Sequence, residues 1–166
     1  MQTLKDLLIE EMRDTYSSET QIVDGLEEMA EAATSPNLKL AFQTHLKETQ
    51  NQVERLKQAF THLGADPEGN TCEATEGLIA EAQEVMDEDM PGELLDVALV
   101  LAAQKVEHYE IASYGALKTI AQECGETEVA TLLGQTLEEE KTTDEKLTQL
   151  AETEINKAAV SASKAA

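Results

Sequence analysis

Leu8, Met12, Thr15, Glu19, Ile22, Leu26, Met29 and Ala33 follow one another at alternating steps of four and three. Only an α-helix returns side chains to one face at that spacing, because a turn takes 3.6 residues. The row predicts a helix from about Leu4 to Ala33 that buries one stripe against partners of its own kind. One member of the row is chemically out of place. Glu19 stands in the middle of an apolar stripe, and a carboxylate there is costly unless something positive answers it.

The same period recurs along the chain. Ser35-Pro36-Asn37 breaks the first helix, with Ser35 placed to cap a second and Pro36 at its first position. That helix is expected from about Pro36 to Leu63, ending at Gly64, with Leu38, Phe42, Leu46, Thr49, Val53, Leu56 and Phe60 as its stripe. His45 and Glu48 lie three apart on its flank. With so short a break, the two helices must fold back as an antiparallel hairpin. Residues 65–72 are turn-rich, and a shorter amphipathic helix is expected from about Glu73 to Asp87. A third long helix runs from about Glu93 to Glu123, and a fourth from about Glu126 to Asn156 with Leu133, Leu137, Glu140, Asp144, Leu147 and Ala151 inward. Composition agrees: aromatic residues are 3% of the chain and Trp is absent, so there is little material for strands.

The expected fold is therefore all-α: an antiparallel four-helix bundle built from two hairpins, with a short fifth helix in the long crossover between helices two and three. Residues 1–156 form one domain in this reading, and the Ala-, Ser- and Lys-rich residues 157–166 form a disordered tail. A weak repeat supports two hairpins. An offset of 91 pairs Glu19 with Glu110, Leu26 with Leu117, Leu46 with Leu137, Glu48 with Glu139 and Leu56 with Leu147, the offset being read directly off the sequence.

The formal net charge of -22 excludes nucleic acid and an anionic membrane surface as partners, since both need Lys and Arg. It suits attraction of cations. Cys72 and Cys124 form no Cys-x-x-Cys pair and indicate neither a disulfide framework nor a zinc site. Without a signal-like apolar run or a membrane-length span, a soluble cytoplasmic protein is expected.

Each long helix carries a carboxylate near mid-length: Glu19, Glu48, Glu107 with Glu110, and Glu139 or Glu140. Antiparallel hairpins bring these to one level. Several carboxylates at one level repel one another and lose hydration, and two divalent cations bridged by them would resolve the conflict. A site so rich in oxygen favours iron or manganese over zinc. The usual bundle ligand motif, Glu-x-x-His, is missing; His45 precedes Glu48 by three, so the spacing runs backwards. Between Glu139 and Glu140 the repeat favours the first and the stripe the second, and Glu140 is preferred. The expected metal ligands are Glu19, Glu48, Glu107, Glu110, Glu140 and His45, with His45 alternatively only hydrogen-bonding a ligand carboxylate. His108 is expected to point away, His62 to lie on the surface, and Tyr16, Tyr109 and Tyr114 to serve packing or, near a redox metal, to donate hydrogen bonds or electrons.

Asp14-Thr-Tyr-Ser-Ser-Glu19, His45-Leu-Lys-Glu48-Thr49, Glu76-Gly-Leu-Ile-Ala-Glu81-Ala, Lys105-Val-Glu-His-Tyr-Glu-Ile-Ala-Ser-Tyr-Gly115 and Leu137-Glu-Glu-Glu-Lys141 resemble the YciE/YciF family of ferritin-like proteins. The resemblance runs from about Leu4 to Glu152. It implies a ferritin-like bundle, a homodimer, metal binding and a bacterial stress-related role. Ferrous-iron oxidation or peroxide reduction is the natural chemistry for such a centre, with oxygen or peroxide as the small oxidant. The rival expectation is a structural, stress-protective acidic bundle whose site is passive or vestigial and catalyses nothing.

Overall fold

The computed structural model describes residues 1–164. Its helices are α1 (Leu4–Ala32), α2 (Pro36–Leu63), α3 (Glu73–Asp87), α4 (Gly92–Glu123), α5 (Thr127–Leu150) and α6 (Asn156–Ser163), and no strand occurs among the described residues. The ends follow local chemistry. Thr3 caps α1 by accepting from the Asp6 amide, while the Asp6 carboxylate accepts from the Thr3 amide. Ser35 Oγ accepts from the Leu38 amide with Pro36 in the first turn. Gly64 ends α2 at φ 65°, a left-handed conformation that a side chain would strain.

Side-chain contacts fix how the long helices run. The Arg13 guanidinium near the start of α1 donates to the Asp66 carbonyl just beyond the end of α2. Gln104 of α4 donates to Asp144 and Thr148 of α5. Asn37 at the start of α2 reaches Glu154, beyond the end of α5, while Arg55 further along α2 meets Glu139. Between α1 and α4, Tyr109 bonds Asp14 near one end, and Asp96 holds the turn after α1 at the other. Each long helix therefore opposes both of its neighbours, and α2 and α4 run the same way. The connection between those two must travel back along the molecule. It does so through α3, which packs across α1 and α4.

Two apolar clusters fill the interior. One centres on Leu8, Met12, Phe60, Leu117 and Leu133; the other on Leu26, Phe42, Leu99, Leu147 and Ile155. Between them, every long helix presents polar side chains inward.

Two expectations need correction. The inward row of α2 is Leu38, Phe42, His45, Thr49, Gln52, Leu56 and Ala59, whereas Leu46 and Val53 are only half-buried. The polar residues hold the inward positions, and the leucine and valine one place along lie beside them. Residues 157–163, expected to be disordered, instead continue as α6 after a single π turn at Ala151–Ile155, anchored by the buried Ile155. Residues 165–166 of that tail lie outside the described residues. No helix among the described residues is long and apolar enough to cross a membrane.

Candidate metal centre

The polar layer between the two clusters is built at one level by all four long helices. Glu19 of α1, His45 of α2, Glu107 and Glu110 of α4 and Glu140 of α5 are each at most 4% exposed. Positions 107 and 110 share a face because they lie three apart, and the stripe of each other helix delivers its residue inward. One ligand atom from each of His45, Glu107, Glu110 and Glu140 can be chosen so that all four lie within 4.8 Å of one another. Metal–oxygen and metal–nitrogen bonds of about 2.0–2.2 Å put the ligands of one ion at most about 4.4 Å apart, so only small side-chain adjustments separate this cluster from coordination.

The contacts inside the layer leave several donor atoms that could hold a cation. His45 Nε2 lies 3.0 Å from a Glu107 oxygen and 3.8 Å from Glu140 Oε2, and Nδ1 lies 3.7 Å from Glu48, ion-pair contacts for a charged ring in which neither nitrogen makes a well-aligned hydrogen bond. Glu19 Oε2, Glu107 Oε2, Glu110 Oε1 and Glu140 Oε2 are buried without a hydrogen-bond partner. Native interiors rarely leave such groups unpaired, and seven unpaired atoms counting the Gln52 oxygen, six of them on the five residues of this layer, make it a possible metal site. The layer contains four carboxyl groups and one imidazole, with no Lys or Arg among its buried members.

Burial and crowding disturb the ionisation of these groups. Burial pushes the Glu19 carboxyl up to about 7, against the opposing pull of the Tyr114 hydroxyl and His45. Glu110 is held well above the ordinary carboxylate range by burial first, then by Glu19, Glu140 and Glu107. Burial raises Glu140 to about 10 although His45 opposes it. For His45 burial alone would disfavour the charged ring, but Glu107, Glu48 and Glu140 together outweigh it and raise the imidazole.

The expected residues divide. His45, Glu107, Glu110 and Glu140 converge. Glu19 is fully buried beside them, and its Oε1 accepts a hydrogen bond from Tyr114. Glu48 does not share the buried layer: its side chain is 33% exposed and stands at the rim beside His45 and Lys146, because it sits one residue before the inward Thr49 and so on the flank of the row. Glu139 turns outward into a bidentate pair with Arg55, leaving Glu140 as the inward acid of that run. His108 is exposed, 3.4 Å from the half-buried Asp144. Gln52 escaped the sequence reading: fully buried, it donates to both Glu139 and Glu140. Tyr114, expected to pack or to donate a hydrogen bond, donates to Glu19. Both were signalled by spacing, Gln52 three residues after Thr49 and Tyr114 four after Glu110.

Two openings lead to the layer. A cleft of about 290 Å³ carries Glu48, Thr143 and Lys146 among apolar walls and reaches His45 and Glu107. An apolar pocket beneath α3 reaches the same two residues from another side.

A family described as a domain of unknown function, DUF892, matches residues 3–160. Protein YciF of Escherichia coli K12 is 47% identical over 160 residues, covering 96% of each chain. The crystal structure of the E. coli stress protein YciF, at 47% identity, matches 95% of this chain and 99% of its own with a TM-score of 0.91. YcfI of Rhodopseudomonas palustris is 45% identical with a TM-score of 0.87, covering 89% of this chain and 94% of that one. A protein of Xanthomonas campestris, 24% identical, shares the fold with a TM-score of 0.80 over 98% of this chain and 99% of its own.

Proposed function

The chain belongs to the DUF892 family and is a homologue of the stress protein YciF; from that premise we propose that it is a ferritin-like metal-binding protein holding a dinuclear iron or manganese centre in the polar layer. The observation that carries the reading is the set of buried, unpaired donor atoms on His45, Glu19, Glu107, Glu110 and Glu140. Two divalent cations bring four positive charges, equal to the charge of the four carboxylates once ionised. An oxygen-rich set with a single imidazole suits iron or manganese rather than zinc. Bound there, such a pair supplies one-electron changes for oxidising ferrous iron or reducing a small oxidant, either dioxygen or peroxide.

The chain's own residues prepare the site. Tyr114 and Gln52 each occupy one oxygen of Glu19 and of Glu140, leaving the second oxygen of each carboxylate turned to the layer. The apolar clusters on either side limit bulk water. Arg55 ties Glu139 outward and keeps Glu140 the inward acid. Glu48 at the cleft, backed by Lys146, is the carboxylate an entering cation meets before the buried set. The homodimer and cytoplasmic location belong to the same reading, and the exposed Leu94 and Leu101 of α4 give the chain apolar surface to pair.

Metal analysis of protein purified without chelators tests the centre: about two iron or manganese ions per chain are expected. Glu19→Ala combined with Glu110→Ala should abolish binding, and unchanged metal content in that variant would refute the reading. Adding ferrous iron and oxygen should give a near-ultraviolet absorbance change that the double variant lacks.

One observation favours the passive alternative. A charged His45 together with protonated Glu110 and Glu140 allows the layer to approach neutrality by itself. Metal-free protein as isolated, with full thermal stability and no response to ferrous iron, would establish it.

A further inference from the structure

The two openings onto the polar layer differ in chemistry, and the difference assigns them different traffic. The cleft bearing Glu48 and Lys146 has apolar walls from Leu40, Phe42 and Leu147, but Asn37, Thr44, Glu48, Thr143 and Lys146 give it groups that hydrogen-bond and carry charge along its length. The pocket beneath α3 carries such groups only at its two ends. Leu26, Met29, Ile79, Met86 and Val106, contributed by α1, α3 and α4, surround it, and apart from Glu28 its only ionisable linings are His45 and Glu107. Glu28 is exposed and accepts from Gln83 of α3, so it marks the outer rim; His45 and Glu107, 4% and 1% exposed, mark the inner end.

The pocket offers about 30 Å³. That exceeds the roughly 10–15 Å³ needed for one water, but a water there needs two to four polar partners, and between the rim at Glu28 and the inner end at His45 and Glu107 the walls are hydrocarbon. Water or peroxide would lose hydrogen bonds on entering. A small apolar molecule gains by leaving water, as xenon does in hydrocarbon-lined protein cavities. We propose that the pocket beneath α3 binds dioxygen and delivers it to the His45–Glu107 side of the layer, while cations and polar oxidants use the cleft at Glu48. The inference rests on the reading of the layer as a redox-active metal centre.

Gly25 of α1 gives the means to test it. A Cβ built there would lie 3.5 Å from Ile79 Cγ1, an ordinary van der Waals contact, so Gly25→Ala fits and Gly25→Val carries two further methyl groups into the pocket. Xenon-pressurised crystals should show xenon between Leu26, Ile79 and Val106; an empty pocket overturns the proposal. In iron-loaded protein at limiting dioxygen, Gly25→Val should slow oxidation about fivefold if filling leaves the pocket open about a fifth of the time, with Gly25→Ala between it and the parent. The rate with hydrogen peroxide should not change. Equal loss with both oxidants, or loss with neither, overturns delivery through this pocket and leaves the metal centre standing. A parent protein that binds xenon and two metal ions per chain (as expected for about two) yet consumes neither oxidant refutes the redox reading itself and, with it, any role in oxygen delivery.

Discussion

The two apolar clusters and the polar layer between them obey opposite rules. Leu133 in the first cluster and Leu99 in the second are at most 1% exposed and surrounded by hydrocarbon, so their burial stabilises the fold directly. Glu110 and Glu140 are buried just as deeply, but their burial costs stability until a cation or a proton answers them. The clusters hold the helices together. The layer carries a desolvation cost that the clusters offset, a pattern that functional sites share.

That contrast can be broken by mutation. Leu133→Ala should lower stability by about 2–5 kcal/mol, measured by denaturant unfolding, whether or not metal is present. Glu110→Leu should act in the opposite direction on metal-free protein, raising stability by about 1–4 kcal/mol while abolishing metal binding. A destabilised metal-free Glu110→Leu would mean the layer supports the fold in its own right.

The same contrast predicts a pH dependence. Glu19 and Glu140 have folded-state values raised from 4.5 to about 7 and about 10. Between the unfolded and folded values the native state holds more protons, so stability falls as pH rises. Their neutral forms are fully stabilising below about pH 4.5, and that contribution is lost through pH 7 for Glu19 and higher for Glu140. Metal-free protein should therefore melt at lower temperature at pH 8 than at pH 5.5, and added metal should reverse the slope because it replaces the protons. A flat profile without metal would remove the electrostatic cost attributed to the layer.

Smaller effects sharpen the boundary of the layer. Tyr114→Phe leaves Glu19 Oε1 without its donor and should cost about 1–3 kcal/mol in metal-free protein, with less loss once metal is bound. Glu139→Gln should change melting by no more than about 1 kcal/mol and leave metal content intact, since it weakens only the half-exposed contacts with Arg55 and Gln52. Loss of metal in that variant would bring Glu139 into the ligand set and contradict its outward position.

Much of this was written in the sequence. Ser35-Pro36 and Gly64 mark the ends of α2 through local backbone chemistry, which needs no tertiary context. Glu19 and Glu140 were legible because each interrupts an apolar row at the row's own period. His45 and Gln52 were harder to place because α2 is polar where it enters the layer, so the apolar period slid one residue to Leu46 and Val53. The repeat misled for a related reason. Its offset of 91 matches Glu48 with Glu139, and both stand at the rim; the buried counterpart of Glu140 at that offset is Thr49. Repeated burial survives where repeated chemistry does not. The direction of Glu139 depended on Arg55, a partner 84 residues away that no local pattern contains.

Asp96 gives the two hairpins a common fate. Only 3% exposed on α4, it accepts from the Thr34 amide, the Thr34 hydroxyl and the Ser35 amide, the turn on which the first hairpin reverses. Until α4 docks, those donors have no protein acceptor; once α4 is present, opening the turn leaves a buried carboxylate unpaired. The two hairpins are therefore tied to one another at that turn, despite the repeat that relates them as separate units. The molecule is wired for cooperativity: heat or denaturant should take both halves apart in one transition.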